Sequence, residues 1–203
     1  MQLVGELTYK FCLTRYTDLP ERDKYMLHRI IEVFNDITDA YDSYQFYRFF
    51  QTVQNFFVVD LSNFYLDIAR DRLYISSLGS FRRRSCQTVL AITIENLAKA
   101  IAPVLSHMAE DIWQALPYET GCPSVFQAGW LTIDEQWQKP DMVDQWENIR
   151  NLRDEVNKVM EEARQNKAIG SSIDAKVLLN LGDTDLKVKL ADYKQVLSIL
   201  NLP

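Results

Sequence analysis

The sequence predicts a mainly α protein, a bundle of long helices with a small α/β tail at its C-terminal end. Two observations carry that expectation. Among 203 residues there are only six glycines and six prolines, so long stretches run without a helix breaker. Apolar side chains recur three and four residues apart over most of the chain, the spacing that lines one face of an α-helix. The balance of 47% hydrophobic and 25% charged residues is that of a globular chain able to bury a core without disulfides or metals.

The first clear helix is expected to open at Leu19-Pro20-Glu21, because proline at a first helical position loses no needed N–H. Tyr25, Leu27, Ile30, Ile31, Phe34, Ile37 and Tyr41 continue it at helical spacing. A second helix runs from Tyr44 to Val59, and its aromatics from Phe46 to Phe57 read as core, at least in part. Asp60 or Ser62 is placed to cap a new turn, after which the helix resumes to Tyr74. Ser76–Ser80 reads as a loop.

Arg82–Ile101 is the next long helix, ended or kinked after Ala102 by Pro103. A shorter one follows to Leu116, carrying Trp113 on its apolar face. Residues 117–140 read as irregular; there Trp130 and Trp137 either pin the segment to the bundle or stand ready to stack on a base. Asp141–Asn166 is a further helix, with Trp146, Ile149, Val156 and Val159 on one side. Gly170 is the natural C-cap glycine. Ala175–Leu181 then reads as a strand and Thr184–Leu202 as one or two short helices. The expected organisation is an atypical lead-in over 1–18, a bundle over 19–166 and an α/β tail over 167–203.

Several function classes find no support. There is no glycine-rich phosphate loop and no nucleophile elbow. His28 and His107 lie far apart, each alone on a helix, and read as core or surface residues. Glu110-Asp111 and Glu161-Glu162 are adjacent on helices and point apart, so neither is an acid–base couple. Cys12, Cys86 and Cys122 form no C-x-x-C pair, which argues against zinc or redox chemistry and suits a reducing cytoplasm. No apolar run approaches the roughly 20 residues that span a bilayer, and residues 1–6 do not open like a secretory signal. The net charge of −6 is unusual for a nucleic-acid binder, so any RNA must meet a local basic patch.

Three stretches resemble the anticodon-binding region of the class I isoleucine–tRNA ligases. The first is Asp60-Leu61-Ser62-Asn63-Phe64-Tyr65-Leu66-Asp67, continuing through Ile68-Ala69-Arg70-Asp71-Arg72-Leu73-Tyr74. The second is Arg83-Arg84-Ser85-Cys86-Gln87-Thr88, running on to Ile101-Ala102-Pro103 and His107-Met108-Ala109-Glu110-Asp111-Ile112-Trp113. The third is Leu152-Arg153-Asp154-Glu155-Val156-Asn157-Lys158, continuing to Ala163-Arg164-Gln165-Asn166-Lys167-Ala168-Ile169-Gly170-Ser171-Ser172. They follow the family's order over roughly residues 19–181. The family's His-Ile-Gly-His and Lys-Met-Ser-Lys-Ser signatures, its editing domain and its Cys-rich zinc module have no counterpart in this sequence. Residues 1–16 do not resemble its usual lead-in helix.

The resemblance implies a helix bundle of the class I tRNA-ligase anticodon-binding type. It also implies isoleucine tRNA as partner and a catalytic domain in cis, with ATP and Mg used only there. The chain by itself is then no enzyme and needs no cofactor or metal. Arg70, Arg72, Arg82, Arg83 and Arg84 form the best basic patch for tRNA; the competing reading pairs Arg83 and Arg84 with Asp67 or Asp71. Lys158, Arg164 and Lys167 form a second candidate surface, which also reads as a solvated mixed-charge face. The alternative function is a free-standing interaction module that keeps the fold without tRNA recognition.

Overall fold

A computed structural model describes residues 14–170 and Val177. The expected tail strand and helices, Ser171-Ser172 and most of the lead-in lie outside the described residues. The chain divides into two compact units, one ending at Pro140 and one beginning at Asp141.

The first unit is built around α1 (Glu21–Asp42), which starts where the sequence predicts, with Pro20 as its N-cap (φ −59°, ψ 151°) and not as its first helical residue. Its apolar residues form a band rather than a narrow stripe: Met26, Leu27, Ile30, Phe34 and Ile37 are all fully buried. Each contributes about 1.5–3 kcal/mol of gross driving force. The helix ends at a reverse turn in which Gln45 N–H donates to Ala40 O at 2.7 Å and Tyr44 N–H to Tyr41 O at 3.0 Å. Tyr44 takes the left-handed conformation at φ 55° that such a stop requires, without being glycine.

From there the chain runs back along α1 as a continuous helical rod. It begins as α2 (Phe46–Asn55), passes through a π-helical stretch (Phe56–Leu66) and finishes as α3 (Asp67–Tyr74). The expected break and new cap at Asp60 or Ser62 therefore do not occur. Asp60 is buried and accepts from Arg29 Nε at 3.2 Å, a tie to α1 that removes it from any capping role. Phe56 against Phe34 (6.4 Å, tilted) and Phe64 against Tyr25 (6.0 Å, edge-on) seal the same interface. Only Phe49 and Phe56 of the aromatic-rich stretch 46–57 are buried; Phe46, Tyr47, Phe50 and Phe57 are exposed. The aromatics surround the rod, and only the positions facing α1 are covered.

After a turn over 75–80, α4 (Phe81–Ile101) runs parallel to α1. Thr14 N–H, ahead of α1, meets Thr88 Oγ1 (2.9 Å) in the first half of α4, and Tyr41 O–H donates to Ala100 O (2.9 Å) near the ends of both helices. Burial pushes the Tyr41 phenol up to about 12, so it remains a donor at neutral pH. The helix stops after Ala102, at Pro103, and α5 (Ser106–Gln114) follows.

Residues 115–140 are irregular, as expected, and fold back over α1 and α4. Trp130 pins them: its ring lies edge-on to Tyr41 at 5.6 Å and its Nε1–H donates to Thr38 Oγ1 at 3.1 Å. Thr132 N–H donates to Asn96 Oδ1 (2.8 Å), Lys99 Nζ to Thr132 Oγ1 (3.1 Å), and Lys139 N–H to His28 Nδ1 (3.1 Å). His28 is thus a buried core histidine, while His107 is exposed.

The second unit contains α6 (Val143–Gln165). Trp146, Ile149, Arg153 and Val156 are buried at spacings of three and four. Val159, expected on that stripe, is exposed although it lies three residues beyond Val156. The stop differs from expectation too. Lys167, not Gly170, takes the left-handed conformation (φ 57°), with Ala168 N–H donating to Ala163 O at 2.9 Å and Lys167 N–H to Arg164 O at 3.0 Å.

Candidate nucleic-acid interface

The end of the first unit where α1 and α4 begin and α3 finishes gathers most of its arginines. Arg72, on the last turn of α3, points inward and is 1% exposed. It makes a forked pair with Asp23 of α1, Nη1 to Oδ1 at 2.8 Å and Nη2 to Oδ2. Its remaining donors reach across the 75–80 turn. Nε donates to Arg82 O at 3.0 Å and Nη2 to Ser85 Oγ at 2.7 Å. Tyr65 O–H donates to Asp23 Oδ1 at 2.9 Å. Burial works against the Arg72 charge, but the hydrogen bonds and field of Asp23 outweigh it and raise its pKa. Burial, reinforced by Asp23, likewise pushes the Tyr65 phenol well up.

The structure therefore takes Arg72 out of the surface patch expected from sequence. With four of its five N–H donors spent on Asp23, Ser85 and a carbonyl and the side chain buried, the guanidinium is not presented to RNA. Arg82 and Arg84 are exposed on the first turn of α4, and Arg83 is half-buried. Ser80 caps that turn by accepting Arg83 N–H at 3.3 Å. Among the described residues no ion pair holds Arg82, Arg83 or Arg84, so the expected alternative of pairing with Asp67 or Asp71 does not appear. Arg70 is exposed and reaches Asp67 at 3.3 Å, a surface contact of small energetic value.

Two further features of this end were not expected from the sequence. Arg22, half-buried on the first turn of α1, sits in the fields of Arg72 and Arg82, and its Nε is buried without a hydrogen-bond partner. Burial first, then the neighbouring Arg72, lowers its pKa. Beside the arginines, Tyr74, Ile75, Leu78 and Phe81 are exposed, Tyr74 by 83%. A helix-end position and an aromatic opening the next helix were the available signals. Exposed arginines interleaved with exposed rings suit phosphate contact and base stacking.

In the second unit, Lys158, Arg164 and Lys167 are all exposed on α6 and its stop. Arg164 Nη2 contacts Glu161 at 2.7 Å, and Glu161 also accepts from Gln165 Nε2 at 3.3 Å. Those hydrogen bonds hold the Glu161 carboxyl below its usual range. Trp113 and Trp146 are buried. Among the described residues, no helix is long and apolar enough to cross a membrane.

A helix bundle with an arginine- and aromatic-rich end is the kind of scaffold that presents side chains to a nucleic-acid loop. The family described as the anticodon-binding domain of tRNA ligase matches residues 23–179, and the chain belongs to that family. It is 69% identical over 175 residues to isoleucine–tRNA ligase of Acaryochloris marina, covering 86% of this chain and 18% of that protein. It is 65% identical over 178 residues to isoleucine–tRNA ligase of Rippkaea orientalis (88% and 19%), and 67% identical over 175 residues to that of Microcystis aeruginosa (86% and 18%). The chain spans about a fifth of the length of these relatives.

Proposed function

We propose that this chain is the tRNA-reading part of an isoleucine–tRNA ligase and binds the anticodon stem-loop of isoleucine tRNA. The observation that carries the reading is 69% identity over 86% of the chain to a protein of that name. The free arginines at the α3–α4 end support it. In this reading Arg82, Arg84, Arg70 and Arg22 contact phosphates, Arg83 lines the capped turn between them, and Tyr74 and Phe81 stack on unpaired bases. Lys158, Arg164 and Lys167 offer a second, weaker set of phosphate contacts. The work done is orientation: binding energy gained at the anticodon holds the acceptor end at a catalytic domain in cis. Adenylate formation, with its ATP and Mg, belongs to that domain, and this chain takes no cofactor. The setting is cytoplasmic, in keeping with the free thiols of Cys86 and Cys122.

The test is a titration of labelled isoleucine tRNA, and of a tRNA with another anticodon, into the chain at low and moderate salt. We expect preference for isoleucine tRNA and binding that weakens steeply with salt. Arg82→Ala with Arg84→Ala should weaken it about tenfold and flatten the salt dependence by roughly 0.7–0.9 per lost phosphate contact. Equal, salt-insensitive binding of both RNAs, or none, would instead favour an interaction module. The exposed aromatic face of Phe46, Tyr47 and Phe50 is the feature that speaks for that second reading.

A further inference from the structure

The buried Asp23–Arg72 pair is larger in reach than holding α1 to α3 requires. Two contacts to Asp23 would suffice for that. Arg72 also commits Nε to the carbonyl of Arg82 and a shared Nη2 donor to Ser85 Oγ, and Ser85 Oγ donates on to Arg82 O at 3.2 Å. Arg82 and Ser85 lie on the first turn of α4, the turn that carries Arg82, Arg83 and Arg84. One guanidinium therefore fixes that turn, in position and rotation, against the start of α1.

Arg22 stands between two acids in the chain, the exposed Glu21 and the buried Asp23. Both Asp23 oxygens are engaged by Arg72, and one of them by Tyr65 as well. Arg22 keeps an unpartnered Nε, and the fields of Arg72 and Arg82 work against its charge while that of Asp23 favours it. Asp23 is balanced inside by Arg72, while Arg22, Arg82 and Arg84 stand at the rim with the exposed Glu21.

We infer that Arg72 is a positioning residue for RNA binding, which sets the first turn of α4 through the Arg82 carbonyl and Ser85; this rests on the tRNA-binding reading above. Lysine at this position supplies charge to Asp23 but cannot span Asp23, the Arg82 carbonyl and Ser85 with a planar fork. An apolar replacement of the whole cluster, Asp23→Leu with Tyr65→Phe and Arg72→Met, removes the pair without leaving a buried charge, a change that cores often tolerate.

The experiment measures binding of isoleucine tRNA to the 203-residue chain and three variants over a range of potassium chloride. The variants are Arg72→Lys, the triple apolar replacement, and Arg82→Ala with Arg84→Ala. Stoichiometric titration fixes the RNA-competent fraction of each, so that partial unfolding is divided out. We expect Arg72→Lys and the triple variant to bind about tenfold more weakly per competent molecule, with the salt dependence flattened by roughly one phosphate contact. A purely structural role would change the competent fraction and leave affinity and salt slope alone. If both variants keep the parent's affinity and slope while the Arg82/Arg84 variant loses them, the positioning role is overturned and the RNA reading stands. If the Arg82/Arg84 variant also binds like the parent, the surface is not the RNA contact and both readings fall.

Discussion

Arg72 and Arg82 lie ten residues apart, and the side chain of one touches the backbone of the other, yet their guanidiniums do opposite work. Arg72 is sealed among Asp23, Tyr65 and Ser85 and is 1% exposed. Arg82 has no ion-pair partner among the described residues and faces outward. The inner charge is affordable because Asp23 answers it with two oxygens in a closed fork. The outer charges cost nothing to hold in water and remain available to a polyanion. One end of the bundle thus separates architecture from recognition by burial alone.

The sharpest way to break this comparison is to cut one member of the inner pair. Arg72→Met alone leaves Asp23 buried and uncompensated, and should lower unfolding stability by about 3–5 kcal/mol in a urea titration. Arg82→Ala with Arg84→Ala should move the same midpoint by no more than about 0.5 kcal/mol. A loss under about 1 kcal/mol for Arg72→Met would mean the pair contributes little to the fold.

Thiol chemistry sharpens the same contrast. Cys86 lies in the inner cluster, fully buried, and burial pushes its thiol up; Cys122 is partly exposed. Cys122 should be alkylated at neutral pH in the native protein, while Cys86 reacts only at the rate at which the cluster opens. Arg72→Met should bring Cys86 toward the rate of Cys122, read by mass spectrometry of alkylated peptides.

The smallest effect concerns a half-buried carboxylate held by neutral donors. Glu110 on α5 accepts from Gln114 Nε2 (2.7 Å), Ser124 Oγ (2.9 Å) and Val125 N–H (3.1 Å), and these bonds hold its carboxyl below the usual range. Because the folded form binds its proton less tightly than the unfolded chain, the contact is fully present above the ordinary carboxylate pKa. It is lost as pH falls through the depressed folded value. Protection of the Val125 amide, measured against its intrinsic exchange rate at each pH, should fall in acid in the parent and be low at every pH in Glu110→Ala. The global midpoint should barely move.

Much of this was legible in sequence. Pro20 opening α1, Pro103 closing α4 and the buried Trp113 and Trp146 follow from local rules about φ, missing N–H groups and apolar spacing. The three motif stretches carried the family. What stayed hidden depends on neighbours distant in sequence. Arg72 reads as one more cation in a basic run, since only the fold brings Asp23 to it across 49 residues. Arg22 stands between Glu21 and Asp23 in the chain, and only the fold commits Asp23 to Arg72. The exposed aromatics of α2 illustrate the same limit: hydrophobicity says what a side chain prefers, while the number of partner surfaces says what is covered. The site residues on α6 were readable only as charges; the structure adds their exposure, the Arg164–Glu161 contact and the left-handed backbone of Lys167.

The π-helical stretch Phe56–Leu66 bears on how this chain tolerates change in length. A residue in an i→i+5 helix turns the chain through less than an α-helical step, so the stretch acts as a phase adjuster between the face of α2 and the face of α3. Removing a single residue there would let the rod become plain α-helix, an easy change for the backbone. Everything downstream would then be rotated by about 100°. Arg72 would swing off Asp23 and a neighbour would enter its place in the core. A substitution in this stretch tests one side chain; a deletion tests the registration of an entire binding end.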